Sequence, residues 1–173
     1  GAFHNESHHP HVHIFCYSKK PKQGYLSKKG IENLRRSFAS EIFHDDLHHI
    51  YVQKDAQREA VRDYFEEELK KAAAKSHASN PRAEALLLKL AVNLKTAKHK
   101  KAYGRLDKEN KVLVDEIVRE LSKDEKVKAL YESWLGLRDE ISFTYQNTRR
   151  AGKSLADEPE FRNIKNMVLK CAR

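Results

Sequence analysis

The chain has 173 residues, 39% of them hydrophobic and 34% charged, with a formal net charge of +9. That length suits one domain or slightly more, and no apolar run approaches the roughly 18 residues a bilayer-spanning helix needs. Cys16 and Cys171 lie far apart and match no CxxC pattern, which excludes a disulfide framework; with no charged leader before a hydrophobic stretch, the expected setting is the reducing cytoplasm.

The first legible segment is His4-Asn5-Glu6-Ser7-His8-His9-Pro10-His11-Val12-His13. It leads into Ile14-Phe15-Cys16-Tyr17, and Val12 to Tyr17 is expected to be a strand with a buried apolar side. Side chains alternate faces along a strand, so His11 and His13 share one face and Val12 and Ile14 the other. Neutral imidazole is the commonest metal ligand in proteins, so two on one face make half a site. The interval back to His4 is long enough for a neighbouring segment to return a third. An uninterrupted purification tag does not fit, because Asn, Glu, Ser, Pro and Val break the run. A histidine-triad hydrolase would need His where Phe15 stands. A metallo-β-lactamase site would need Asp and His among Phe15, Cys16 and Tyr17.

Next comes a basic stretch. Lys19, Lys20, Lys22, Lys28, Lys29, Arg35 and Arg36 face only Glu32, a concentration that attracts a phosphate backbone and releases its counterions. A second cluster, Lys95, Lys98, Lys100, Lys101, Arg105 and Lys108, reads more simply as a solvated face.

Helices fill the remainder. Pro21 to Gly24 reads as a turn, and Ile31, Leu34, Phe38 and Ile42 repeat at amphipathic spacing. Asp45 is expected to cap a second helix that turns Leu47, Ile50 and Tyr51 inward and continues through Val61, Phe65 and Leu69. Asn80-Pro81 starts a third with Leu87, Leu90 and Leu94 buried, and Ser76 to Pro81 is the best place for a domain junction. Asp107 caps a helix burying Val114, Ile117, Val118 and Leu121. Ser122-Lys123-Asp124-Glu125 reads as a capping box, opening a helix that carries Val127, Leu130, Tyr131, Trp134 and Leu135 and leaves at Gly136. Leu137, Ile141 and Tyr145 mark another helix stopping near Gly152, and Phe161, Ile164, Val168 and Cys171 the last. Trp134, Tyr131 and Tyr145 suit a core better than a base-stacking platform at this spacing.

The pattern H-x-(D/E)-x3-P-H-x-H, here His4, Glu6, Pro10, His11 and His13, resembles the third motif of the HUH relaxases. Tyr17-Ser18-Lys19, Gly24 through Glu32, Tyr103-Gly104-Arg105-Leu106 and Val114 through Val118 are similar to the MobL-like relaxases of Gram-positive integrative elements. The resemblance implies an α+β chain: a remnant of the HUH antiparallel sheet and its helices over 1–75, then a helical extension over 81–173. It implies a metal site of His4, His11 and His13 for Mg²⁺ or Mn²⁺, with Glu6 accepting a ligand's second N–H. Single-stranded DNA at an origin of transfer would meet Lys19, Lys20, Lys22, Lys28, Lys29 and Arg35, together with other relaxosome or coupling proteins. The implied activity is nicking and rejoining of that strand in conjugative mobilisation of plasmids or integrative elements. In such relaxases the nucleophile lies well before the His motif. The resemblance therefore implies a nucleophile upstream of Gly1 and a truncated chain, inactive alone. The fallback is Tyr25, which has Lys29 four residues on, as in rolling-circle replication or transposition nucleases. A non-catalytic helical nucleic-acid-binding module is the reading outside enzymes.

Overall fold

The computed structural model describes residues 2–4, 11–15, 17–21, 24–74, 80–96, 102–146 and 151–173, with backbone only at 2–4, 11, 46, 96 and 146. Two three-residue strands, β1 (Ala2–His4) and β2 (His11–His13), form an antiparallel ribbon. Six helices follow: α1 (Lys28–Ile42), α2 (His44–Ala73), α3 (Pro81–Thr96), α4 (Lys108–Leu121), α5 (Glu125–Gln146) and α6 (Arg162–Cys171). The chain is thus mostly helical.

Local chemistry starts several of these helices. Ser27 caps α1 by accepting from the Gly30 N–H at 3.1 Å. Asn80 accepts from the Ala83 N–H at 3.0 Å and Asp107 from the Asn110 N–H at 2.9 Å, each satisfying a donor that the first turn leaves open. At α5 the cap is Asp124, whose carboxylate accepts from the Lys126 and Val127 N–H groups. The expected capping box from Ser122 does not form, because the Ser122 hydroxyl donates back to the Val118 carbonyl of the preceding helix at 2.6 Å. Asp45 does not cap α2 either. That helix begins at His44 after Phe43, without a side-chain cap, and Asp45 meets the His44 ring at 3.1 Å.

The core is built from the stripes that periodicity marks. Val61, Phe65 and Leu69 of α2 join Leu87, Leu90 and Leu94 of α3, Val114, Ile117, Val118 and Leu121 of α4, and Ile164 and Val168 of α6. Trp134 is fully buried, stacked on Tyr131 at 5.8 Å between ring centroids and edge-on to Phe161 at 4.9 Å. Lys54 and Arg138 each sit 5.6 Å from the Trp134 ring. Helix α2 shares one core with α3 to α6, on both sides of the Ser76 to Pro81 stretch; residues 75–79 lie outside the described residues.

Three expectations fail for tertiary reasons. The strand ends at His13, and Ile14, Phe15 and Tyr17 are exposed (Phe15 85%, Tyr17 88%), not buried. A two-stranded ribbon has no covered face unless another layer packs on it. The stripe Ile31, Leu34, Phe38 and Ile42 forms a helix as expected but stays exposed, and only Ala39 of α1 is buried. Tyr51 is likewise exposed while Leu47 is buried.

Gly136 does not end a helix, since α5 runs unbroken from Glu125 to Gln146. Burial of Trp134, Arg138 and Ile141 on the same side holds the helix together across it, outweighing the roughly 1 kcal/mol that glycine costs in a helix interior. A Cβ built at Gly136 meets nothing within 4 Å. Gly136→Ala is therefore expected to stabilise the protein by about 0.5–1 kcal/mol. The check is a rise in the urea midpoint with an unchanged denaturant slope.

Candidate metal ribbon and basic surface

The ribbon gathers the backbone of the histidine motif. Its register pairs Ala2 with His13, Phe3 with Val12 and His4 with His11. Directly opposed residues of an antiparallel pair lie on the same side, and residues two apart along a strand share a side. Positions 4, 11 and 13 therefore occupy one side of the ribbon and positions 3 and 12 the other. Neither alternation alone nor spacing alone could show this, because His4 joins the set only through the cross-strand register.

The side chains of His4 and His11, and residues Gly1, Glu6, His8, His9 and Pro10 entirely, lie outside the described residues. The expectation of a nucleophile upstream of Gly1 therefore concerns no described residue. His13 is exposed. Among the described residues no three His, Cys, Asp or Glu side chains group closely enough for a metal ion. Imidazoles at positions 4, 11 and 13, if they converge, would be a donor set suited to a divalent ion. Three neutral imidazoles leave coordination positions open for oxygen ligands, as a catalytic site requires.

The basic residues are placed as follows. Lys19 and Lys20 are exposed on a short turn in which the Ser18 hydroxyl donates to the Lys20 carbonyl at 2.7 Å. Lys22 lies outside the described residues, as do Lys98, Lys100 and Lys101 of the second cluster. Lys28 and Lys29 are exposed in the first turn of α1, which contains no acidic residue. Cations at a helix N-terminus oppose the macrodipole by roughly 0.3–1 kcal/mol each. Their position costs the helix stability, and an anionic ligand would offset that cost. Arg35, also exposed, lines an apolar groove with Ile31, Leu34 and Phe38.

Two tyrosines bear on the nucleophile. Tyr25 is 89% exposed and precedes the Ser27 cap, so it is outside α1 while Lys29 is inside. The pair does not share a helical face. Tyr103 is packed in a polar cluster, its hydroxyl 2.9 Å from both Asp115 carboxylate oxygens and 3.3 Å from Lys165 Nζ. Burial, followed by the Asp115 hydrogen bond, raises its pKa, the opposite of what an attacking phenolate needs. Lys165 also bridges to Asp115 at 2.7 Å, so this trio reads as a clasp between α4, α6 and the turn at Tyr103.

The chain belongs to the MobL relaxases, whose family model matches residues 1–173, the whole of it. A relaxase role in DNA mobilisation, acting on single-stranded DNA at an origin of transfer, comes with that membership. No curated protein and no solved structure matches the chain. No helix among the described residues is long and apolar enough to cross a membrane.

Proposed function

We propose that this chain carries the metal-bearing ribbon of an HUH nuclease sheet, in a relaxase that nicks and rejoins one DNA strand at an origin of transfer during conjugative mobilisation. The observation that supports it is the register that pairs His4 with His11 and leaves His13 on the same side, in a chain of the MobL family. His4, His11 and His13 would hold Mg²⁺ or Mn²⁺, and Glu6 would fix one imidazole by accepting its second N–H. When bound, the ion supplies Lewis-acid polarisation of the scissile phosphate. Lys19, Lys20, Lys22, Lys28, Lys29 and Arg35 would neutralise phosphates of the strand leading into that site. They draw the strand across the turn after the ribbon and onto the start of α1, with other relaxosome or coupling proteins completing the assembly. The attacking hydroxyl is not assigned to Tyr25, because it is exposed before the start of α1 and does not share a helical face with Lys29. A nucleophile upstream of Gly1 accords better with the family's order of motifs.

The test is binding of origin-strand DNA by anisotropy across a salt series. Replacing Lys19, Lys20 and Lys22 by alanine should weaken binding and flatten the dependence of log K on log salt by about 2, at roughly 0.7 for each phosphate neutralised on a single strand. The same change at Lys98, Lys100 and Lys101 should do less. An unchanged slope after the first set with a large drop after the second would overturn the proposed path. A covalent adduct mapping to Tyr25 in the presence of Mn²⁺ would replace the relaxase reading by that of a replication-type nuclease.

A further inference from the structure

A cleft of about 440 Å³ opens where α1, α2 and α5 meet, inside the range of roughly 300–1,000 Å³ typical of ligand clefts. Its walls come from segments far apart in the chain: Arg36 and Ser40 of α1, Tyr51 and Lys54 of α2, Arg138 and Tyr145 of α5, and the Glu160 carboxylate. Two of the three cations already have partners. Lys54 bonds Glu160 at 3.0 Å, while Arg138 bonds Asp139 at 2.8 Å and Glu158 at 3.1 Å. Arg36 is exposed, and no ion pair among the described residues includes it. The cleft therefore holds one cation whose charge the surrounding described residues leave unmatched.

The approach to the cleft is also ordered. Lys29, Asn33, Arg36 and Ser40 follow at helical spacing down one face of α1, opposite the apolar stripe of Ile31, Leu34, Phe38 and Ile42. Lys29 and Arg36 are separated by about 10 Å along the axis. A single strand, at about 3.4 Å per nucleotide when stacked and further when stretched, covers that distance in two or three nucleotides.

Tyr145 adds the element that distinguishes among anions. It is half-buried, lies beside Tyr51, and forms a wall of both this cleft and the apolar groove of α1. An aromatic surface thus stands between an unmatched cation and an apolar trough. A simple anion or an acidic peptide needs the cation but not the ring. A purely apolar partner needs the trough but not the cation. A nucleotide uses both, because its phosphate is charged and its base is flat and stackable.

We infer that this cleft is a nucleotide subsite for single-stranded DNA, separate from the histidine ribbon, in which Arg36 and the Ser40 hydroxyl hold a phosphate and Tyr145 carries a base. It rests on the relaxase reading and adds to it a second grip on the strand. Binding here anchors the strand on the helical body and needs no metal.

The experiment uses the full chain without metal and three labelled probes: a dT 12-mer, its abasic counterpart and a poly-glutamate peptide. Arg36→Glu is expected to weaken the dT probe about tenfold and to lower its salt slope by about 0.7, the share of one phosphate. Tyr145→Ala should weaken the dT probe about fivefold, as loss of one stacked base does, and leave the abasic probe unchanged. Tyr145→Phe, which keeps the ring, should bind dT as the parent chain does. Equal loss on dT and abasic probes in Tyr145→Ala, or poly-glutamate binding as tightly as dT, would overturn the subsite. If the parent chain binds dT and both Arg36→Glu and Tyr145→Ala match it, the subsite fails while the relaxase reading stands. If the parent chain binds no single strand, with or without Mn²⁺, both fail together.

Discussion

His11→Ala is expected to abolish measurable Mn²⁺ binding in a calorimetric titration that shows binding by the parent chain. Position 11 is central to the ribbon: it is directly opposite position 4 and two residues from position 13 on the same strand. Its loss leaves two imidazoles, of which one is on each strand. Removing a residue that merely orients a metal ligand costs about 10–100-fold in affinity, so removing a ligand should cost at least about 100-fold. Glu6→Gln should fall within the range of about 10–100-fold if Glu6 orients an imidazole. Val12→Ala, on the other side of the ribbon, should leave the affinity unchanged. Equal binding by His11→Ala and the parent would remove the metal assignment. A loss as large in Val12→Ala would show that the ribbon's folding, not its ligands, was measured.

The second large effect is on stability. Trp134→Ala should destabilise the protein by about 3–5 kcal/mol, the range for emptying a large aromatic site in a core. Trp134 touches the stacked Tyr131 ring and the edge of Phe161, and it lies under Lys54 and Arg138. Its truncation opens a cavity and removes two cation–π interactions together. One term offsets part of this: the buried Trp134 Nε1 has no hydrogen-bond partner among the described residues, and an orphan donor costs about 1–3 kcal/mol. Trp134→Phe removes that donor while keeping an aromatic ring, so it should lose well under half as much as Trp134→Ala. Since Trp134 is the single tryptophan, unfolding is followed by circular dichroism at constant denaturant slope. A Trp134→Phe variant as unstable as Trp134→Ala would mean that the indole's shape or N–H contributes what is ascribed here to general aromatic packing.

Much of the helical body was legible from the residues alone. Asn80-Pro81 and Asp107 start helices where a short side-chain oxygen precedes an apolar-periodic run, because capping is settled within four residues. The stripes Val61-Phe65-Leu69, Leu87-Leu90-Leu94 and Val114-Ile117-Val118-Leu121 read as core, since burying such a stripe is favourable, and all three are buried. Tyr131 and Trp134 entered the core as their spacing favoured. That His11 and His13 share one side of a strand was legible too, because alternation on one strand is a local property.

What failed were statements that depended on neighbours distant in sequence. Gly136 resembles a helix stop, yet the packing of Trp134 against Lys54 of α2 and against Phe161, with Arg138 bonded to Glu158, carries α5 through it. The α1 stripe has the pattern of a buried face, but periodicity cannot say whether another element covers it, and here Ile42 remains 67% exposed. Tyr145 was indistinguishable from Tyr131 by spacing. Only the folding of α1 and α2 against α5 left one in the core and set the other on the wall of a cleft with Arg36.

The sequence by itself therefore determined most of the helices, the caps at Asn80 and Asp107 and most of the buried stripes, because each is decided within one or two turns. The tertiary structure alone decided which side of the ribbon His4 shares, which apolar face stays open, and which cations remain unmatched. Those depend on the register between strands and on the meeting of segments about a hundred residues apart, and no local periodicity encodes either.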